Sequence, residues 1–231
     1  MSNNNIFRRI EEKYLLTEEQ YKKLFENINV FIEQDEYFKT TICNIYFDNE
    51  DNELIVHSME KPLYKVKVRL RSYGVPKLND NVFLEIKSKY RKIVGKRRIK
   101  LSLKEFNNYL EKGIYDKNDQ IMKEIDYLFK LYELKPSYFI GYDRTSYREI
   151  GNSDLRITID RNLRSRTNNL NLEKGDNGKK YFNEEVYLME IKTLNSMPLW
   201  LVRNLSELKI FPTSFSKYGS IYKKDKEECI C

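Results

Sequence analysis

Tyr64-Lys65-Val66-Lys67-Val68-Arg69-Leu70-Arg71 decides the fold class. Side chains two apart on a strand share a face, so Lys65, Lys67, Arg69 and Arg71 project one way and Val66, Val68 and Leu70 the other. The same alternation recurs outward from it. Glu85, Lys87 and Lys89 oppose Leu84 and Ile86, and Lys96, Arg98 and Lys100 follow in the next strand. Tyr142, Arg144 and Ser146 align; Asp154, Arg156, Thr158 and Asp160 oppose Leu155, Ile157 and Ile159; Glu11 with Lys13, and Glu190 with Lys192, complete the set. The period predicts strands at about 6–15, 40–47, 64–73, 81–90, 93–101, 138–148, 154–161 and 185–193.

Helical patterns interrupt these strands. Thr17-Glu18-Glu19-Gln20 and Ser102-Leu103-Lys104-Glu105 have the form of capping boxes, the second followed by Gly113 as a stop signal. Ile121 to Leu134 and a segment from Ser196, with Pro198 in its first turn, complete four amphipathic helices. Residues 161–180, rich in Asn, Gly and Lys, read as a long mobile surface loop. The expectation is α+β: an eight-stranded antiparallel β tunnel, a closed barrel with a cationic lumen, covered by amphipathic helices. No linker or repeat divides the chain, so residues 1–231 are expected to form one domain.

Composition narrows the chemistry. The chain has 42 Lys+Arg against 35 Asp+Glu, a net charge of +7, and His57 as its single histidine. Histidine-based triads and His-rich zinc sites would all depend on that one residue, in a polar stretch that reads as surface. Of the three cysteines, Cys43 lies in an apolar run and Cys229 and Cys231 end the chain, with no second pair to complete a metal site. No apolar run approaches the ~18–20 residues of a spanning helix and no signal peptide is legible, so a soluble, cytoplasmic protein is expected.

Each charged face could be the solvated side of a sheet. Against this, Lys and Arg dominate where Thr, Ser and Gln would ordinarily mix in. Two cations ~6 Å apart repel by roughly 3 kcal/mol at an effective dielectric near 20. Such an array calls for a polyanion. The aromatic residues are not interleaved with the cations as base stacking requires, which disfavours nucleic acid and favours phosphate chains. Glu11, Glu85, Asp160 and Glu190 sit in register with the cations as hard oxygen donors for Mg²⁺ or Mn²⁺, with Glu190 the first choice and Glu11 or Glu85 a second. Their alternative role is to form salt bridges.

In sequence order, EEKYLL (11–16), NIYFDN (44–49), KVRLRSYG (67–74), FLEIKSKYR (83–91), GKRRIKL (95–101), YDRTSYR (142–148), LRITIDRNL (155–163), MEIKTL (189–194) and FSKYGSIY (215–222) resemble the VTC domain. This is the polyphosphate polymerase domain of the vacuolar transporter chaperone family and its bacterial relatives, within the triphosphate tunnel metalloenzyme superfamily. The resemblance implies metal-dependent transfer of the ATP γ-phosphate to inorganic polyphosphate, with Mn²⁺ or Mg²⁺ as cofactor. It implies that Lys13, Arg69, Arg71, Lys87, Arg98, Arg144, Arg156, Lys192 and Lys217 bind phosphate and that Glu190 binds metal. Lys67 joins the phosphate-binding set from its strand position, and Lys217 comes from the resemblance alone. Arg69, Arg71, Arg144, Arg156 and Lys217 form the expected catalytic set. Related triphosphatases begin with Glu-x-Glu-x-Lys, whereas Arg9-Ile10-Glu11-Glu12-Lys13 keeps only the second Glu and the Lys, which favours the polymerase branch. The alternatives are a triphosphatase acting on inorganic triphosphate or a nucleoside triphosphate, and a non-catalytic polyphosphate- or RNA-binding module. The inositol-phosphate-sensing domain and membrane helices of the eukaryotic polymerases are not legible, which leaves any protein partner open.

Overall fold

A computed structural model describes residues 10–91, 93–115 and 118–228, apart from the side chain of Ser153. Arg9, Cys229 and Cys231, and the first residues of the strand expected over 6–15, lie outside the described residues. The elements are β1 (Ile10–Thr17), α1 (Glu18–Ile28), β2 (Ile32–Asp48), α2 (Glu53–Met59), β3 (Tyr64–Tyr73), β4 (Asn81–Tyr90), β5 (Ile93–Ser102), α3 (Leu103–Lys112), α4 (Gln120–Leu131), β6 (Lys135–Glu149), β7 (Asn152–Arg166), β8 (Lys179–Lys180), β9 (Val186–Thr193), α5 (Leu199–Glu207) and α6 (Lys217–Glu228). The strand order is β1-β9-β7-β6-β2-β3-β4-β5, with the two-residue β8 beside β7. Every register described is antiparallel. The α+β sheet is thus as expected, but its strand order is an open path: among the described residues no pairing joins β1 to β5. Closure into a barrel is not part of the fold described.

The chain gathers into two compact units, 1–40 with 142–163 and 182–215, and 41–141 with 164–181 and 216–231. In the first, Tyr14 and Leu16 of β1, Leu155, Ile157 and Ile159 of β7, and Met189 and Ile191 of β9 bury one sheet face against Leu24, Ile28, Leu201 and Leu205 of α1 and α5. The Thr17 box closes as expected, its hydroxyl accepting from the Gln20 amide while the Gln20 side chain accepts from the Thr17 amide. In the second, Val66, Val68, Leu70, Leu84 and Ile86 pack with Phe106, Tyr109, Met122 and Ile125 of α3 and α4. Burying one such aliphatic side chain contributes roughly 1.5–3 kcal/mol, so each apolar stripe fixes the register of its strand and thereby which residues face the other way.

The departures from expectation have identifiable causes. β2 begins at Ile32, eight residues early, because its polar first half carries no apolar period and is instead held by ion pairs from Arg148 to Glu33 (3.0 Å) and Arg156 to Asp35 (2.8 Å). α2 escapes notice because Asn52 gives no side-chain cap; Asp48, four residues upstream, accepts from the amides of Leu54 and Ile55. α4 stops at Leu131, three residues before the expected Leu134, and Glu133 takes the left-handed region (φ 51°) before β6 begins at Lys135. The stretch expected as a loop, 161–180, carries the end of β7, a 3₁₀ turn over Leu172–Lys174 and β8. It folds around two arginines: Arg164 pairs with Asp176 at 2.7 Å, and Arg166, 3.7 Å over the Phe139 ring, donates to the carbonyls of Asn169, Asn171 and Gly175. No helix among the described residues is long and apolar enough to cross a membrane.

Candidate functional site

In the second unit the registers of β2, β3, β4 and β5 set side chains in rows on one face. Tyr46, Arg69, Glu85 and Arg98 form one row, Asn44, Arg71, Phe83 and Lys100 the next, and Lys67, Lys87 and Lys96 a third. Glu85, 1% exposed, is the anchor. Arg69 reaches its Oε2 through Nε (2.8 Å) and Nη2 (2.7 Å), Lys96 reaches Oε1 at 2.8 Å, and Arg71 stands 3.9 Å away. Burial would raise the Glu85 carboxyl, but Arg69, Arg71 and Lys96 outweigh it and hold it down at about 2. Arg69 also donates from Nη1 to the Tyr46 hydroxyl at 3.0 Å, and Arg71 donates to Asn44 Oδ1 at 3.0 Å. Burial acts to raise the Tyr46 phenol; Arg69, Lys67 and Arg71 override it and bring it to about 8.

Lys67 joins this face to α6. Its ammonium donates to Ser216 Oγ (3.2 Å) and lies 5.8 Å from the Tyr218 ring centroid. Tyr218 stacks on Tyr46 at 4.5 Å and donates to Asp48 at 3.1 Å. Lys217, the first residue of α6, is therefore carried on a helix tied to β2. Arg98 is exposed and lies 4.7 Å over the Phe83 ring; Lys87 is exposed.

In the first unit β1, β9 and β7 align Glu11, Lys192 and Arg156 in one row and Lys13, Glu190 and Thr158 in the next. Arg144 grips Asp160 with two bonds, Nε to Oδ1 at 2.6 Å and Nη2 to Oδ2 at 2.7 Å. Burial would lower the arginine, but Asp160, Tyr142 and Glu190 raise it well above its ordinary value. Glu190 meets Arg144 at 3.3 Å, Lys192 at 3.5 Å and Lys13 at 4.0 Å. Lys192 is lowered by burial, against the pull of Glu190 and Glu11. Glu11 is 4.0 Å from both Lys13 and Lys192, and Lys13 also donates to the Phe215 carbonyl at 3.1 Å.

Lys13, Arg144, Glu11, Glu190 and Lys192 therefore stand together in one unit, and Lys67, Arg69, Arg71, Glu85, Lys87 and Arg98 share one face of the other. Arg156, half exposed, is drawn to Asp35 at 2.8 Å. Asn44, Tyr46, Ser216 and Tyr218 were missed. Asn44 and Tyr46 were legible, since NIYFDN places them two apart on the face opposite Ile45 and Phe47. Ser216 and Tyr218 had no strand period to flag them.

A divalent cation can be tested against these donors. Among the described residues no three His, Cys, Asp or Glu side chains are grouped to hold a metal by themselves. Glu85 is wrapped by its cations. At Glu190 the donors are hard oxygens, Glu11 shares the face, and the Thr158 hydroxyl opposite Glu190 is buried with no hydrogen-bond partner among the described residues. That set fits an ion held by one or two carboxylates with phosphate oxygens filling the remaining positions.

A sheet with one cation-rich face in each unit defines a class: α+β proteins whose strands gather Lys and Arg on one side. The fold is similar to that of a candidate adenylate cyclase from Bacillus halodurans (TM-score 0.55, 16% identity, covering 90% of this chain and 93% of that one). It is similar also to a candidate adenylyl cyclase from Hippeastrum described as having a dominant triphosphatase activity (TM-score 0.53, 14% identity, 94% and 96% covered). Residues 8–224 match the VTC domain, and the chain belongs to that family. Over 145 residues it is 28% identical to vacuolar transporter chaperone complex subunit 4 of Schizosaccharomyces pombe, an alignment taking in 53% of this chain and 20% of that protein. The chain thus spans about a fifth of the length of that relative.

Proposed function

We propose that this VTC-domain chain is a polyphosphate polymerase that transfers the γ-phosphoryl group of ATP to the end of an inorganic polyphosphate chain. The observation that carries the reading is the Lys67, Lys87, Lys96 row, in which like charges stand directly opposite one another. Opposed like charges destabilise a sheet, and an extended phosphate polyanion offsets that cost. The first strand adds a second support, since it keeps only Glu11 of the paired glutamates.

Phosphoryl transfer rests on positioning and charge neutralisation. Arg144, Lys13 and Lys192 would hold phosphate oxygens around Glu190, with Arg156 released from Asp35 to join them. Arg69, Arg71, Lys67, Lys87, Arg98 and Lys217 would hold phosphate oxygens in the other unit. Arg suits this task because its planar fork binds two oxygens at once. Glu190, with Glu11 beside it, would hold Mn²⁺ or Mg²⁺, which when bound neutralises charge on the phosphates. The acceptor is a terminal phosphate, already anionic at neutral pH, so no histidine or serine base is needed. A single domain closed into a water-excluding tunnel is part of this proposal.

The test is to incubate the purified protein with ATP and Mn²⁺, resolve products on a polyphosphate-stained gel, and assay ADP and free phosphate together. Long chains with matching ADP are expected. Free phosphate without chains would make the protein a triphosphatase, and salt-sensitive polyphosphate binding without turnover would make it a binding module.

A further inference from the structure

Where β3 ends, the cationic face it shares with β4 and β5 turns aromatic. Tyr73 continues the Arg69, Arg71 series by one more step of two, and Phe83 stands directly opposite Arg71, with Lys100 opposite Phe83 on its other side. The two rings meet edge to face, their centroids 5.6 Å apart and their planes at 75°. Arg98 lies over the Phe83 ring at 4.7 Å. The rings are ten residues apart in the sequence, and only the β3–β4 register gathers them among the cations, so the alternation of either strand alone shows no stacking surface.

Tyr73 does not fill the core, since it is 52% exposed. Its backbone is nevertheless fixed on both sides. Ile42 of β2 is its register partner, the Ser72 hydroxyl donates to the Gly74 carbonyl at 2.7 Å, and the Gly74 amide donates to the Thr41 carbonyl at 2.8 Å. Gly74 takes a positive φ (79°), which turns the chain out of the sheet immediately after the ring. Phe83, partly buried, braces Tyr73 from the neighbouring strand. A ring held in place this way beside cations presents an open aromatic surface that needs little further ordering to receive a flat partner.

We infer that Tyr73, braced by Phe83, is the stacking platform for the base of the nucleoside triphosphate donor, which lies with its base at the end of β3 and its phosphates at Arg71 and Arg69. The inference rests on the proposed polymerase reading and deepens it, by assigning residues to the half of the donor that the cations do not read. A guanidinium binds phosphate oxygens whether or not a nucleoside is attached. An aromatic face tells the two apart, because tripolyphosphate and polyphosphate have no π surface to stack. Tyr73 lies one row, roughly 6.6 Å, beyond Arg71, on the side to which the sugar and base of a triphosphate seated at Arg71 and Arg69 would extend. A single platform suits one base and not a strand of them, so the surface selects a mononucleotide.

The test titrates the whole chain, as wild type, Tyr73→Ala and Tyr73→Phe, with β,γ-imido-ATP, which cannot donate its terminal phosphate, and with tripolyphosphate, at fixed Mn²⁺ across a salt series. Tyr73→Ala is expected to lose about tenfold in affinity for the nucleotide, with its salt slope unchanged because no phosphate contact is removed. Its tripolyphosphate affinity should change less than about twofold, which also reports that it is folded. Tyr73→Phe keeps the ring and should bind both ligands as wild type does. Equal losses for the two ligands in Tyr73→Ala, no loss for the nucleotide, or a loss in Tyr73→Phe that matches Tyr73→Ala would overturn the platform. Wild type that binds neither ligand would instead overturn the polymerase reading itself.

Discussion

The two units place carboxylates among cations by the same period-two alternation, yet use them differently. Glu85 is sealed, with Arg69 and Lys96 at 2.7–2.8 Å and 1% of its side chain exposed. In the other unit that sealed role falls to Asp160, gripped by Arg144 at 2.6 Å, while Glu190 meets its cations at 3.3 Å or more. Each unit thus has a carboxylate that fixes its arginine, and beside the Arg144–Asp160 pair Glu190 stands as a second carboxylate in looser contact. A charged residue at the right period is a structural counter-ion when an arginine fork closes on it. It is a candidate ligand when its cations stand at longer range, as Arg144, Lys192 and Lys13 do around Glu190.

The comparison breaks most visibly if its sealed carboxylate is removed. Glu85→Ala leaves Arg69, Arg71 and Lys96 facing one another, and should lower unfolding free energy by about 3 kcal/mol or more in denaturant titrations. Added tripolyphosphate should restore part of this, because a ligand that binds only the folded state stabilises it. Arg69→Ala should be destabilising too, since it strips a buried carboxylate of its main partner, as well as impairing phosphate binding.

Acid should reach the same group. Glu85 is held at about 2 in the fold against an ordinary 4.5, so its contribution is complete above pH 4.5 and disappears as pH falls toward 2. Over that window the loss is ~3 kcal/mol, and it should be missing from an acid titration of Glu85→Gln.

A smaller effect sharpens the comparison at Tyr46. Its phenol should ionise near pH 8 rather than 10, visible as phenolate absorbance that Tyr46→Phe removes. The phenolate form is favoured by the fold, so this contribution grows as pH rises through 8 and is absent below it. Polyphosphate bound at Arg69 and Lys67 should push the transition back up. A Tyr46 that titrates unchanged in saturating polyphosphate would place the chain elsewhere.

Much of this was legible before any coordinates. β3 and β4 match the expected residues because alternation and burial agree at every position from Lys65 to Leu70 and from Val82 to Leu84, with Glu85 buried on the charged face by its ion pairs. Both capping boxes are local and formed as read. What failed to show was non-local: the cap of α2 is Asp48 from the preceding strand, and the first half of β2 is held by Arg148 and Arg156 from distant sequence. α6 stayed hidden because Gly219 and a charged tail mask the Tyr218, Ile221, Tyr222 stripe. The alternation placed Glu11, Glu85, Asp160 and Glu190 on the cationic faces, but only the registers decide which of them an arginine seals.

The most direct test is the Mn²⁺ dependence of ADP release and chain growth in wild type and Glu190→Gln, with polyphosphate binding measured alongside. The account predicts that Glu190→Gln binds polyphosphate, stays folded because the amide oxygen still accepts from Arg144, and does not turn over at ordinary Mn²⁺. A Glu190→Gln protein that elongates chains at ordinary Mn²⁺ would contradict it and return Glu190 to the structural role that Glu85 fills.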